Sequence, residues 1–179
     1  MISHYFQWTR IYIGPAEKTT GSNVKVALGR GGMMLLQHHA DVGKKGPQGR
    51  SVLHIAVIEG HHKVVELLLQ QKADVHMQDS QGLAPLHKAA LKGHEKVVEM
   101  LLQHNANVNV LDSQLRLTPL HEAVLKGHEK MVEMLLQHNA DVDIQDSQGF
   151  TPLKAELKGH KKVVEILLHY NANLGPAEL

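Results

Sequence analysis

A block of sixteen residues recurs about every 33 residues along this chain. Its two clearest copies, Leu91–Ala106 and Leu125–Ala140, differ only where Met131 replaces Val97. Two weaker copies cover residues 58–73 and 157–172. A period of this length indicates a stack of small units, because one unit cannot bury its apolar face alone. Such a stack presents a long surface and seldom encloses a reaction chamber, so the repeat favours binding over catalysis.

The composition further limits the classes of protein to which the chain can belong. At 179 residues the chain has room for about five such units. The net charge of +1 gives no general attraction to nucleic acid or to a membrane surface. The absence of cysteine excludes disulfides and thiolate metal sites and is typical of a reducing compartment. No apolar run approaches the roughly 20 residues of a membrane helix, and the first residues lack the pattern of a secretory signal. We therefore expect a cytoplasmic or nuclear protein.

The unit that begins at Asp79 predicts how each copy folds. Asp79–Gly82 has the residue order of a type I turn, and Pro85 suits the first turn of a short helix. Gly93 is expected to end that helix and Asn105 the next one, because both tolerate a left-handed backbone. The second helix carries an apolar face at helical spacing, formed by Val97, Val98, Leu101 and Leu102. Each unit is therefore predicted to be two antiparallel helices followed by a turn.

The residue before the proline should decide how well each first helix is capped. Thr118 and Thr151 carry a hydroxyl that can accept a hydrogen bond at the helix start. Ala84 stands at the same position and has no such group. We expect its helix to lack a side-chain cap, at a cost of about 1 kcal/mol.

These units resemble the ankyrin repeat. The openings that match are Ser51-Val52-Leu53-His54, Ala84-Pro85-Leu86-His87, Thr118-Pro119-Leu120-His121 and Thr151-Pro152-Leu153. Each is followed by Gly-His, then Leu-Leu, then Ala-Asp/Asn-Val or a close variant. The resemblance covers residues 49–179 and extends back to about residue 16. It implies an all-α ankyrin-repeat solenoid, in which helix-turn-helix units are joined by β-turn or hairpin loops.

The period divides the chain into segments. We predict an atypical aromatic-rich segment at 1–15, a degenerate N-terminal capping repeat at 16–48, ankyrin repeats at 49–81 and 82–114, a repeat with a one-residue insertion at 115–148, and a truncated C-terminal repeat at 149–179. The insertion replaces the loop glycine and should enlarge the loop around Leu115. The C-terminal repeat is one residue short after Leu153, which puts Glu156 where Ala90 packs; a charge is tolerable there only at an open end of the stack.

The first residues do not fit the repeat. They hold four of the six aromatic side chains of the chain, at Tyr5, Phe6, Trp8 and Tyr12. One hypothesis is a segment that folds back over the first unit, and a second is a peptide that binds a partner. A third is an extension foreign to the repeat domain. The residues leave these three alternatives open.

The fifteen histidines invite a metal hypothesis, which their spacing does not support. The resemblance implies that His54, His87 and His121 bridge backbone and hydroxyl groups between units. It places His61, His94, His128 and His160 in the turns between helices. Equivalent positions lie about one unit apart, too far to share one metal ion. The sequence also lacks a zinc-protease spacing, a phosphate-binding loop and a credible Ser-His-Asp set. We therefore expect no enzyme activity, no cofactor and no metal, apart from weak adventitious binding at His38-His39 or His61-His62.

The resemblance places partner contacts on the loop tips and on the outward side of each first helix, which together line a concave groove. Carried over to this chain, these positions are Arg50, Ile55, Ile58, Glu59, Leu83, Lys88, Leu91, Lys92, Leu117, Glu122, Leu125, Lys126, Phe150, Lys154, Leu157 and Lys158. They form an apolar stripe (Ile58, Leu91, Leu125, Leu157) beside a lysine stripe (Lys92, Lys126, Lys158). We expect exposed apolar side chains at the loop tips, at Leu83, Leu117 and Phe150. The alternative is that the aliphatic side chains pack against the next unit and that duplication alone made the stripes.

Three functions are compatible with this pattern. The first is a noncatalytic protein–protein interaction module, an adaptor, scaffold or inhibitor, expected to be monomeric. Its groove would take an apolar segment with acidic flanks, because leucines supply contact area and lysines steer the approach. The second is the targeting module of a larger enzyme. The third is a structural or engineered scaffold without a natural ligand.

Overall fold

The computed structural model describes residues 9–11, 26–28, 42–155 and 159–170 of the chain. Before the helical units, strands β1 (Thr9–Ile11) and β2 (Val26–Leu28) pair antiparallel, with Arg10 opposite Ala27. Strand β2 falls within the segment predicted to be a degenerate repeat. Residues 12–25 and 29–41 lie outside the described part, as do Tyr5, Phe6, Trp8 and Tyr12. The predictions for segments 1–15 and 16–48 therefore stay predictions.

From residue 51 onward the described elements are all α-helical, and the predicted all-α repeat stack is confirmed. A 3₁₀-helix at Pro47–Gly49 precedes them. The first helices of the units are α1 (Val52–Ile58), α3 (Pro85–Lys92), α5 (Pro119–Lys126) and α7 (Pro152–Ala155). The second helices are α2 (His62–Gln70), α4 (Glu95–Gln103), α6 (Glu129–Gln137) and α8 (Lys161–His169). Glu156, which was predicted to occupy the position equivalent to Ala90, lies outside the described residues.

The helices pack in two rows, with first helices beside first helices and second helices beside second helices. One continuous apolar core runs between the rows. Its largest fully buried leucines come from every unit: Leu53, Leu68, Leu86, Leu101, Leu120, Leu135 and Leu167. Burying each such side chain contributes roughly 1.5–3 kcal/mol, so the core holds the units together. None of the helices in the described ranges is long and apolar enough to cross a membrane.

The glycine between the two helices of a unit is required for two reasons. Gly93 has φ 72°, in the left-handed region that a Cβ disfavours. A Cβ at this position would also lie 3.0 Å from the ring of His128, in the next unit. At Gly127 the same contact, with His160, would be still closer. The Gly-His pairs therefore do more than turn the chain, because each histidine ring lies against the glycine of the unit before it.

The left-handed residue that ends each second helix yields a stability prediction. Asn105 and Asn139 have φ 61° and 63° there, as expected, whereas Lys72 has φ 60° at the same position. Asparagine tolerates this backbone better than lysine, so Lys72→Asn should raise the free energy of unfolding by about 0.5–1 kcal/mol. Urea denaturation measures the difference. The matched control is Lys96→Asn, the same change in the right-handed backbone of α4, where no gain is expected. Equal gains in both variants would contradict the explanation.

Candidate partner-binding surface

The loops between the repeats lie side by side along one edge of the stack. In the loop that begins at Asp79, the carboxylate accepts hydrogen bonds from the backbone N–H groups of Gln81 and Leu83, at 2.9 and 3.0 Å. The Gly82 N–H closes the predicted turn on the Asp79 carbonyl oxygen at 3.0 Å. Successive loops are joined by single backbone hydrogen bonds: Ser80 to Gln48 at 2.9 Å, Ser113 to Gln81 at 3.2 Å and Ser147 to Leu115 at 2.8 Å. The loop tips therefore form a continuous edge.

The loop of the fourth unit is one residue longer, as the sequence predicts. It closes between Asp112 and Leu117, where the Asp112 N–H donates to the Leu117 carbonyl oxygen at 3.0 Å. Arg116 takes the left-handed conformation, with φ 56°, in the loop that lacks a glycine. Leu115 is half exposed, at 50%. The insertion thus creates an exposed apolar side chain at this edge.

Three buried histidines fix the loops to the helices behind them. The Nε2 atoms of His54, His87 and His121 lie 2.9, 3.0 and 3.2 Å from the carbonyl oxygens of Leu83, Leu117 and Phe150 in the following unit. An N–H must stand at Nε2, since a carbonyl can only accept. These contacts confirm the bridging role that the resemblance implied.

The other ring nitrogen faces donors of its own unit. Nδ1 of His87 accepts the backbone N–H of Ala84 at 3.1 Å, and Nδ1 of His121 accepts that of Thr118 at 3.2 Å. Both nitrogens are then satisfied only in the neutral ring. Burial lowers the pKa of His54, His87 and His121, and this outweighs the opposing effect of the loop carbonyls.

The hydroxyls of Thr118 and Thr151 cap their helices as predicted, and Ala84 makes no side-chain cap.

The predicted partner-contacting residues differ in exposure. Exposed side chains are Glu59, Lys92, Lys126 and Lys154; half-buried ones are Arg50, Ile55, Ile58, Leu83, Leu91, Leu117, Glu122, Leu125 and Phe150; Leu157 and Lys158 lie outside the described residues. The sequence predicted exposed apolar tips at Leu83, Leu117 and Phe150. The structure corrects this to half-buried tips. Their role in partner contact stays a prediction.

The structure corrects the prediction that Lys88 lies exposed in the groove, because this residue is only 6% exposed. Its ammonium lies 3.0 Å from the Asp79 carboxylate, while the Arg50 guanidinium is 3.9 Å from the same oxygen. Burial alone would raise the pKa of Asp79, but the Lys88 hydrogen bond and the backbone donors outweigh it and lower the pKa. Lys88 therefore neutralises an inward-facing carboxylate and is not free to meet a partner.

The next unit carries the opposite charge at this position. Glu122 is half-buried, and burial followed by the charge of Asp112 raises its pKa. Asp112 is itself buried and accepts backbone N–H groups from Gln114, Leu115 and Leu117 at 2.7–2.9 Å. Within the described residues, no Lys, Arg or His lies within ion-pair distance of either carboxylate. The predicted groove thus includes a half-buried acid without a counterion from these ranges.

The repeated sequence, the two-row stack and the histidine-anchored loops agree with a comparison to known families. A family model described as ankyrin repeats (3 copies) matches residues 26–112 and 109–177. The chain belongs to the ankyrin repeat family. Ankyrin repeats are generally protein–protein interaction modules and typically noncatalytic. A search of curated proteins finds no match to this chain.

The last ankyrin repeat exposes an apolar surface that sequence reasoning missed. Leu168 of α8 is 45% exposed, and Tyr170 beside it is 37% exposed. Leu136, at the same position in α6, is only 5% exposed because the following repeat packs against its helix. Counting repeats identifies this face, since no helix follows α8 within the described residues. Among the described residues, no group of three His, Asp or Glu side chains could hold a metal ion.

Proposed function

We propose that this ankyrin repeat protein is an adaptor, scaffold or inhibitor that binds a segment of one partner protein in its concave groove. One observation carries the proposal. Equivalent ends of α1, α3 and α5 place half-buried Ile58, Leu91 and Leu125 directly before exposed Glu59, Lys92 and Lys126. The aliphatic side chains offer contact area that is not fully used by the stack.

The charged residues favour a particular orientation of the bound segment. Lys92 and Lys126 would attract acidic residues that flank the apolar part of the ligand and accelerate its approach. We propose that the protein acts as a monomer, because Ile58, Leu91 and Leu125 all belong to one chain. The targeting module of a larger enzyme would use the same groove. That alternative differs only in the catalytic domain attached to the repeats, and the mode of partner binding is the same.

A groove variant tests the proposal. Peptides of twelve residues, displayed on phage, are selected for binding to the wild-type protein. The double variant Leu91→Glu, Leu125→Glu should bind the selected peptides at least about 100-fold more weakly, because contacts at the centre of an interface contribute most of the affinity. Circular dichroism should remain helical, since both leucines are only half-buried.

The control makes the same chemical change outside the groove. Leu168→Glu replaces an exposed leucine on α8 and should leave peptide affinity within about threefold. Peptides that bind the double variant as well as the wild type would place the binding surface elsewhere. Failure to select any peptide would favour a structural scaffold without a ligand.

A further inference from the structure

One position in the groove changes character from repeat to repeat. It directly follows the buried histidine, and it holds Ile55 in α1, Lys88 in α3 and Glu122 in α5. The histidine before it and the leucine two residues before it are the same in all three repeats. The stack therefore tolerates an apolar, a basic and an acidic residue here. A position with such freedom can be used to select a ligand.

In the third repeat, the helix position after the buried histidine holds a basic side chain beside the loop carboxylate. There the Lys88 ammonium enters from the helix and lies 3.0 Å from the Asp79 carboxylate. The side chain is buried, so this position of the third repeat accommodates a largely desolvated ammonium group. In this repeat the chain supplies the cation itself.

The fourth repeat keeps the loop carboxylate and reverses the charge of the helix residue. Asp112 corresponds to Asp79, and Glu122 corresponds to Lys88. The Asp112 oxygens accept three backbone N–H donors, whereas half-buried Glu122 has no ion-pair partner among the described residues. Burying a carboxylate without a cation costs free energy, which a cation from a ligand would offset.

We propose that the ligand supplies this cation: the groove binds a segment whose Lys or Arg side chain pairs with Glu122 while neighbouring apolar side chains pack on Leu91 and Leu125. The proposal rests on the function proposed above and specifies its ligand. Lys92 and Lys126 then meet an acidic residue on the other side of the apolar part. Across the groove, the bound segment would therefore present a basic residue, then apolar residues and then an acidic residue.

The peptides selected on the wild-type protein provide the test. They should be enriched in Lys or Arg at one position relative to the unselected library. Glu122→Lys places an ammonium where Lys88 has one in the third repeat, so it should weaken peptide binding at least about tenfold without lowering the melting temperature. Glu122→Gln, which keeps the size of the side chain, should weaken binding by less. Replacing the selected basic residue of the peptide with Glu should restore part of the binding to Glu122→Lys.

The control is Glu133→Lys, which makes the same charge change at an exposed site on α6, outside the groove. It should change affinity by less than about threefold. If Glu122→Lys and Glu122→Gln bind like the wild type while Leu91→Glu, Leu125→Glu abolishes binding, the cation proposal is overturned and the groove function stands. If the double leucine variant also binds normally, both are overturned.

Discussion

Replacing His87 with alanine is expected to lower the free energy of unfolding by about 3–5 kcal/mol. The ring is fully buried, so its removal leaves a cavity. The Ala84 N–H and the Leu117 carbonyl would also lose their partner inside the protein. A buried polar group without a partner costs roughly 1–3 kcal/mol. Urea denaturation followed by circular dichroism measures the loss.

The control for this substitution is His104→Ala, which removes an exposed histidine at the end of α4. Its effect should stay within about 0.5 kcal/mol, since the residue is exposed. Similar effects of the two substitutions would mean that the bridge between repeats contributes little. Because the bridge ends on Leu117, we also expect His87→Ala to loosen the loop beside Glu122, which hydrogen exchange at the loop amides would detect.

The local structure of each repeat could be predicted because its residues have few alternatives. Gly93 and Asn105 end their helices with left-handed φ angles, as predicted, since few other residues adopt that backbone at low cost. The apolar spacing of Val97, Val98 and Leu101 likewise defined the buried face of α4. Such predictions depend only on neighbours along the chain.

The exposure of the predicted groove residues was less predictable, because it depends on contacts between residues that are distant in the sequence. Nothing in the helix pattern shows that the Asp79 carboxylate turns inward to accept loop N–H groups. Because this carboxylate lies inside, the Lys88 side chain is buried as well and pairs with Asp79. The same limit applies to Leu117, whose carbonyl is held by His87. A loop aspartate nine residues before a lysine was the signal that could have revealed the buried pair.

The near identity of the repeats has a consequence for function. Residues that recur at every unit, such as the Gly-His pairs, can be explained by stacking, because each ring lies against the preceding glycine. Recurring Leu91 and Leu125 are therefore weaker evidence for a ligand than Glu122, which breaks the pattern. Functional information in such a chain lies where neighbouring repeats differ at positions that the stack leaves free.

Acid is expected to destabilise the protein from about pH 6.5 downward. His54, His87 and His121 have pKa values lowered by burial below the ordinary 6.5, so the unfolded chain binds protons before the folded protein does. The stability that these neutral rings contribute is fully present above pH 6.5 and is lost as the pH falls toward the folded pKa values. Each ring can contribute a slope of up to about 1.4 kcal/mol per pH unit.

Two carboxyl groups modify this profile in separate ranges. Glu122, whose pKa is raised above 4.5, favours the folded state as it becomes protonated, and it offsets part of the loss toward low pH. Asp79, whose pKa lies below 3.8, adds a further loss only under more acidic conditions. Urea denaturation between pH 7.5 and 5.0 therefore follows the histidines without the contribution of Asp79. His121→Gln should reduce the slope, because it removes one of the three rings whose pKa is lowered by burial. A stability that stays constant across this range would contradict the buried, neutral assignment of the three rings.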